Sequence, residues 1–259
     1  MSWIITGTQK NSFSPLDLPL ALWLDATDAS TITLSGGSVV QWNDKSGNGR
    51  NAIPPAGRAP DYNATGLNGK GIVTFNGVSQ YLNTADFYQA NWYIIVVGRT
   101  NSTSNNQAIL GKFDGVSNRE LLMRFNNANQ LFGLINPIGT SGASNTVVTT
   151  AATVGTSFGV FGYYKNGSSC ELGINGLIET GNFNTSTVYN GDRPLGIGAD
   201  EGLTGGAAFL SGSLQHIVIT QGAPSSADMR KLEGWAAWSA GLQSLLPANH
   251  PYKTAFPVP

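Results

Sequence analysis

The chain has 259 residues, 41% of them hydrophobic, which suits one large all-β domain or two small ones. Charged residues make up only 11%, against roughly 25% in an average soluble domain, so Asn, Ser, Thr, Gly and Gln must cover the surface. A net charge of −1, from 14 basic and 15 acidic residues scattered along the chain, excludes the basic stripe of a nucleic-acid binder and an electrostatically held membrane contact.

Residues 1–19 form a polar lead broken by Pro15 and Pro19. Either it is a disordered tail, or Trp3, Ile4, Ile5 and Phe13 bury themselves by docking on a neighbour. Its short apolar runs do not make a secretory signal, so synthesis without export is expected. Leu20 to Leu24 then reads as a strand. A turn rich in carboxylates (Asp25, Asp28) and a Gly36-Gly37 hairpin signal lead to Val39 to Trp42. Asn43 to Gly49 is a loop of residues that tolerate positive φ or bond their own backbone.

After a Pro54-Pro55 to Pro60 loop come strands at Gly71 to Phe75 and Tyr81-Leu82. Trp92 to Val97 is almost wholly apolar, the pattern of a central strand covered on both faces. Short strands follow at Ala108 to Lys112, Glu120 to Phe125, Gln130 to Ile135 and Thr146 to Thr149, with a loop at Gly139 to Asn145. Phe158 to Tyr164, Cys170 to Ile174 and Leu177 to Glu179 form hairpins, the second closed by Asn175-Gly176. Leu195 to Gly198 and Gly212 to Thr220 complete the set. Turn signals about every ten residues are those of a sandwich. The period then changes to that of a helix over about Ser226 to Ala240, with Gly241 at its end and Pro247 beyond. That helix is expected on the edge or bottom of the sandwich. Cys170, the lone cysteine, reads as a buried inert thiol.

The segments LWLDATDASTI, WNDKSGNGRNA, GLNGKGIVTFNGVSQYL, YKNGSSCELGINGLIET, GSLQHIVIT and KLEGWAAWSAGLQSLLPANHPYK together resemble laminin-G-like domains of the concanavalin A-like lectin/glucanase superfamily. The likeness covers roughly residues 20–253 and is greatest to versions in bacteriophage structural proteins and bacterial surface proteins. It implies an all-β fold: an antiparallel two-sheet jelly-roll sandwich with one C-terminal α-helix. The expected divisions are an arm at 1–19, the sandwich at 20–222, and a helix with a Pro-containing tail at 223–259 packed on it.

Function must then be read from residues, because this fold serves lectins, hydrolases, adhesion modules and virion parts. Glucanases of the superfamily set two carboxylates on one strand face. Here Glu120, Glu171, Glu179 and Glu233 have no acidic residue two or four positions away, and Asp200-Glu201 would point to opposite faces, so no enzyme is expected. His216 and His250 stand in no H-E-x-x-H motif. His216 is expected on the polar face of its strand or in a hydrogen bond, and His250 as loop packing.

Laminin-G-like domains often hold Ca²⁺, and Asp44 and Asn48 lie in the loop the resemblance points to. Gln215-His216 stand where related chains carry an acid, so closure of Asx turns by Asp44 and Asn48 is the preferred reading and no cofactor is required. For a glycan, the candidate aromatics are Tyr62, Tyr81, Tyr88 and Tyr189. Apolar residues near both ends (Trp3, Ile4, Ile5, Phe13, Tyr252 and Phe256) are candidate assembly contacts. The resulting expectation is a non-enzymatic virion protein, a capsid decoration or tail or fibre part made in the host cytoplasm. Its partners would be other virion proteins and further copies of itself, with weak adhesion to host-surface glycans. A lectin-like domain of a bacterial surface protein is the alternative, and an endo-glycosidase the third reading.

Overall fold

The apolar run Trp92 to Val97 lies at the centre of the fold, as its composition predicts. The computed structural model describes residues 12–113, 119–137, 146–200 and 208–259. Alternate side chains of the run face opposite ways. Trp92, Ile94 and Val96 enter a core between two sheets, while Tyr93, Ile95 and Val97 enter a second apolar layer beneath the C-terminal helix.

In chain order the strands are β1 (Leu20–Asp25), β2 (Ile32–Ser35), β3 (Ser38–Trp42), β4 (Asp61–Leu67), β5 (Lys70–Asn76) and β6 (Leu82–Asn83). They continue with β7 (Trp92–Thr100), β8 (Gln107–Phe113), β9 (Arg119–Phe125), β10 (Gln130–Ile135) and β11 (Thr146–Thr153). The last are β12 (Gly159–Asn166), β13 (Ser169–Ile174), β14 (Leu177–Asn182), β15 (Gly196–Ile197) and β16 (Ser211–Thr220), followed by helix α1 (Ser226–Ala240).

Among the described residues one antiparallel sheet has ten strands, in the order β14-β13-β12-β7-β16-β5-β4-β3-β2, with β1 also paired to β16. The other has six, β11-β10-β9-β8-β15-β6. Long β16 serves two neighbours along one edge. Ser211 to Leu214 pair with β5, and His216 to Thr220 pair with β1. At the junction the register against β7 shifts, and Gln215 Nε2 donates to Gly71 O. This is the two-sheet sandwich that the strand spacing predicts.

The turns follow backbone chemistry. Asn175 and Gly176, between β13 and β14, have φ of 54° and 81°, the positive pair that a type I′ hairpin requires. Strand β4 is absent from the sequence reading. Its residues Asp61 to Leu67 are mostly exposed and do not alternate, so no periodicity marks it.

Helix α1 starts at Ser225, whose hydroxyl accepts from the Asp228 N–H, and ends at Gly241 with φ 72°. It packs on the outer face of the ten-stranded sheet, which corrects the expected edge or bottom position. Tyr93, Ile95 and Val97 explain why: they are apolar side chains on a face that only a second layer can cover. Met229, Leu232, Trp235, Ala236 and Ala240 supply that layer.

The expected arm is also corrected where it is described. Phe13 is only 2% exposed and belongs to the same layer. Its N–H donates to Pro257 O at 2.9 Å, so this end docks on the chain's own C-terminal tail. Trp3, Ile4 and Ile5, and the loop expected at Gly139 to Asn145, lie outside the described residues. Among the described residues no helix is long and apolar enough to cross a membrane.

Candidate functional site

The Asp44 loop is closed by its own hydrogen bonds. Asp44 Oδ1 accepts from the N–H groups of Trp23 (3.0 Å) and Ser46 (2.9 Å). Its Oδ2 accepts from Ser46 Oγ (2.8 Å) and the Arg50 N–H (3.0 Å). Four donors fill what a carboxylate can accept. Asn48 turns its Nδ2, a donor, toward Leu20 O at 2.8 Å. These are turn-closing hydrogen bonds, of the kind the preferred reading of Asp44 and Asn48 describes. Among the described residues no group of three or more His, Cys, Asp or Glu side chains is placed to hold a metal.

The four tyrosines do not share one surface. Tyr62 donates to Ala26 O at 3.0 Å, and Tyr81 leans on Phe209 with ring centroids 6.1 Å apart. Tyr88 is 38% exposed and its hydroxyl lies 3.5 Å from Val188 O, which brings it toward the half-buried Tyr189. Of the other assembly candidates, Tyr252 accepts the Trp238 indole N–H at its carbonyl, and Phe256 rests edge-on against Trp238.

Close to Tyr88, carboxylates distant in sequence meet. Lys112 Nζ lies 2.6 Å from Asp86 and 2.7 Å from Glu120, and also donates to Phe87 O. A register shift between Lys112 and Phe113 sets Glu120 beside Lys112. Burial pushes the Glu120 carboxyl above its usual range, against the pull of Lys112. Strand patterning hides this pair because its members come from different segments.

Both histidines are buried and hold α1, His216 from strand β16 and His250 from the C-terminal tail. His216 Nε2 lies 3.1 Å from Ser239 Oγ, and its Nδ1 lies 3.2 Å from Asp25 Oδ1. That order of groups is the one a serine hydrolase uses. Here, however, the serine sits in the last turn of α1, 3.1 Å from Ala236 O, and Trp235 covers the imidazole at 4.9 Å. Burial alone would raise the Asp25 carboxyl. Hydrogen bonding and charge from His216, with help from Thr27 and Lys45, hold it well below the usual range. In the middle of the helix, Glu233 accepts from Tyr93 Oη (2.9 Å) and Arg230 (2.8 Å) and pairs with His250 Nε2 (3.1 Å). These contacts outweigh burial and depress its carboxyl too.

A polar surface with an open trough lies on the outer face of β12, β13 and β14. Tyr164 pairs with Glu171 and Glu171 with Thr180, so these three form one row across the strands. Asn166, Ser169 and Asn182 form the next row, and Gly162, Gly173 and Ile178 the row on the other side. The glycines keep that strip low, and a Cβ on Gly162 would lie 2.9 Å from Tyr93 Oη. A trough of about 460 Å³ lies over Ser169, Glu171, Thr180 and Asn182. A second, of about 240 Å³, adjoins Ile178 on the same strand face and is lined by Leu177, Arg230, Pro247 and Asn249.

Burial raises the Glu171 carboxyl above its usual range, with Arg230 opposing and Glu233 adding to the effect. The shelf thus offers an aromatic ring, a carboxylate, hydroxyls and amides on a flat base. Its sequence signal is the alternation in Ser-Cys-Glu-Leu, where Cys170 and Leu172 turn inward and Ser169 and Glu171 outward.

No family model matches the sequence, and no curated protein matches it. Solved structures do. Domain 4 of AbnA, a GH43 extracellular arabinanase from Geobacillus stearothermophilus in complex with arabinotriose, is 11% identical with a TM-score of 0.60, over 81% of this chain and 96% of that one. The binding domain of botulinum neurotoxin DC in complex with SialylT is 13% identical with a TM-score of 0.60, over 85% of this chain. Trypanosoma rangeli sialidase in complex with sialic acid is 14% identical with a TM-score of 0.59, also over 85% of this chain. The chain spans 52% of the botulinum chain's length and 33% of the sialidase's. At these identities the likeness defines the fold, a two-sheet antiparallel β-sandwich, and nothing finer.

Proposed function

We propose that this chain is a non-catalytic carbohydrate-binding domain whose glycan lies on the β12–β13–β14 shelf. The observation that carries the reading is the row Tyr164, Glu171 and Thr180 beside a trough lined by Ser169 and Asn182. Sugars present hydroxyl groups around apolar C–H faces, and a shelf of hydroxyl, amide and carboxylate groups next to an aromatic ring matches both. Support also comes from the neighbours. Domains of the same fold are described with arabinotriose and with SialylT bound.

The virion reading has the resemblance to phage proteins as its support. Of its expected contacts, Phe13 is used inside the chain and Phe256 packs on Trp238, so the glycan reading ranks first. The glycosidase reading would draw on Asp86 and Glu120. Both carboxylates are taken up by a buried lysine, where a scissile bond would need them open to substrate.

The test is titration of the protein with a broad panel of oligosaccharides. Asn182→Ala should weaken the best ligand about tenfold or more while leaving the thermal midpoint within a degree or two, and Tyr164→Ala should weaken it as much with a loss of stability, because its ring also packs edge-on to Tyr93. Unchanged binding in both variants would remove the shelf from the account.

A further inference from the structure

Resting on the glycan reading of the shelf, we infer that the site takes neutral oligosaccharides and discriminates against acidic ones such as sialylated or uronic glycans. The inference comes from where charge sits around the trough. On β13, Glu171 makes no hydrogen bond and no ion pair among the described residues, although it is half-buried in the trough wall. It is an acceptor waiting for donors, and sugar hydroxyls supply them.

The cation nearest the shelf is already engaged. Arg230 Nη1 donates to Gly176 O (2.9 Å) and to Glu233 Oε2 (2.8 Å), so its charge is balanced by a buried carboxylate. Further along α1, Lys231 faces Asp228 at 3.5 Å. On β14, Glu179 accepts from the N–H groups of Ala151 and Ala152. On β12, Lys165 is buried and donates to the carbonyls of Ala90, Gly167 and Ser186. Among the described residues, the charge beside the trough that has no ion-pair partner is thus the Glu171 carboxylate, with Arg230 acting on it only from a distance. A carboxylated sugar would place a second negative charge against it in a partly desolvated site, a repulsive element that selects by exclusion.

This runs opposite to the SialylT and the sialic acid described with two of the fold neighbours. The discriminating experiment uses matched pairs measured by calorimetry on the full chain: lactose against sialyllactose, and methyl-esterified trigalacturonate against the free acid. The neutral member of at least one pair should bind about tenfold or more tighter, and Glu171→Gln should narrow that gap by weakening the neutral ligand and easing the acidic one. Tighter binding of the acidic member, or an equal loss for both members in Glu171→Gln, overturns the inference and leaves the glycan reading intact. If neither these pairs nor a wider neutral and acidic array binds, the glycan reading itself falls and takes the inference with it.

Discussion

Asp44 shows how one side chain can hold a loop that resembles a ligand site. Its carboxylate accepts from Trp23, Ser46 and Arg50, tying residues from two sides of the loop. Asp44→Ala should cost about 2–4 kcal/mol in denaturant unfolding, since several charge-assisted bonds to one group are lost together. Adding Ca²⁺ or EDTA should leave the midpoint of the parent protein where it was. A rise of several degrees with Ca²⁺ that disappears in Asp44→Ala would contradict the turn assignment.

Asp25 and Glu233 make a second residue-scale prediction. Both carboxyls are held below their usual range in the folded chain. A depressed carboxylate contributes stability above its unfolded value near pH 4, and that contribution is lost as pH falls toward the folded value. Thermal midpoints should therefore drop below about pH 4, and Asp25→Asn should lower the midpoint at pH 7 while reducing its acid dependence. The same drop in the variant as in the parent would contradict that account. The loop and its turn residues were legible in the sequence. The Asp25–His216–Ser239 and Asp86–Lys112–Glu120 groupings were not, because each joins segments that only the fold brings together.

At the scale of elements, the layer beneath α1 does what the termini were expected to do elsewhere. Phe13, Trp235 and Leu232 share one cluster with Val97 and Ile95. Phe13→Ala should cost about 3–5 kcal/mol, the usual loss for a large aromatic in a closed layer, and should lower the unfolding midpoint of the monomer. A stability unchanged by that variant would restore the free-arm reading. Gly241 is the second lever. Its φ of 72° suits glycine, and a Cβ there would lie 2.8 Å from Asn68 Nδ2, so Gly241→Ala should cost about 1 kcal/mol or more.

Elements with a strong local signal, the apolar run of β7 and the helical period of α1, occupy the residues the sequence assigned to them. The exposed strand β4 lacked that signal. The placement of α1 on a face depended on which side of β7 the second sheet left uncovered, which local sequence cannot state.

For the whole molecule, a ten-stranded sheet covered by a helix on part of its outer face leaves β12, β13 and β14 as a polar surface beside that helix. Tyr62 and Tyr81 are used in packing, and Tyr164, inside a strand, stands in the row with Glu171 and packs edge-on to Tyr93. The central claim, that this shelf is where the chain holds a glycan, is tested most directly by mapping backbone amide shifts during titration with the tightest neutral oligosaccharide of the panel. The account predicts saturable shifts concentrated at Tyr164, Ser169, Glu171, Thr180 and Asn182. Shifts centred on Tyr88 and Tyr189, or no saturable shifts with any glycan, would contradict it.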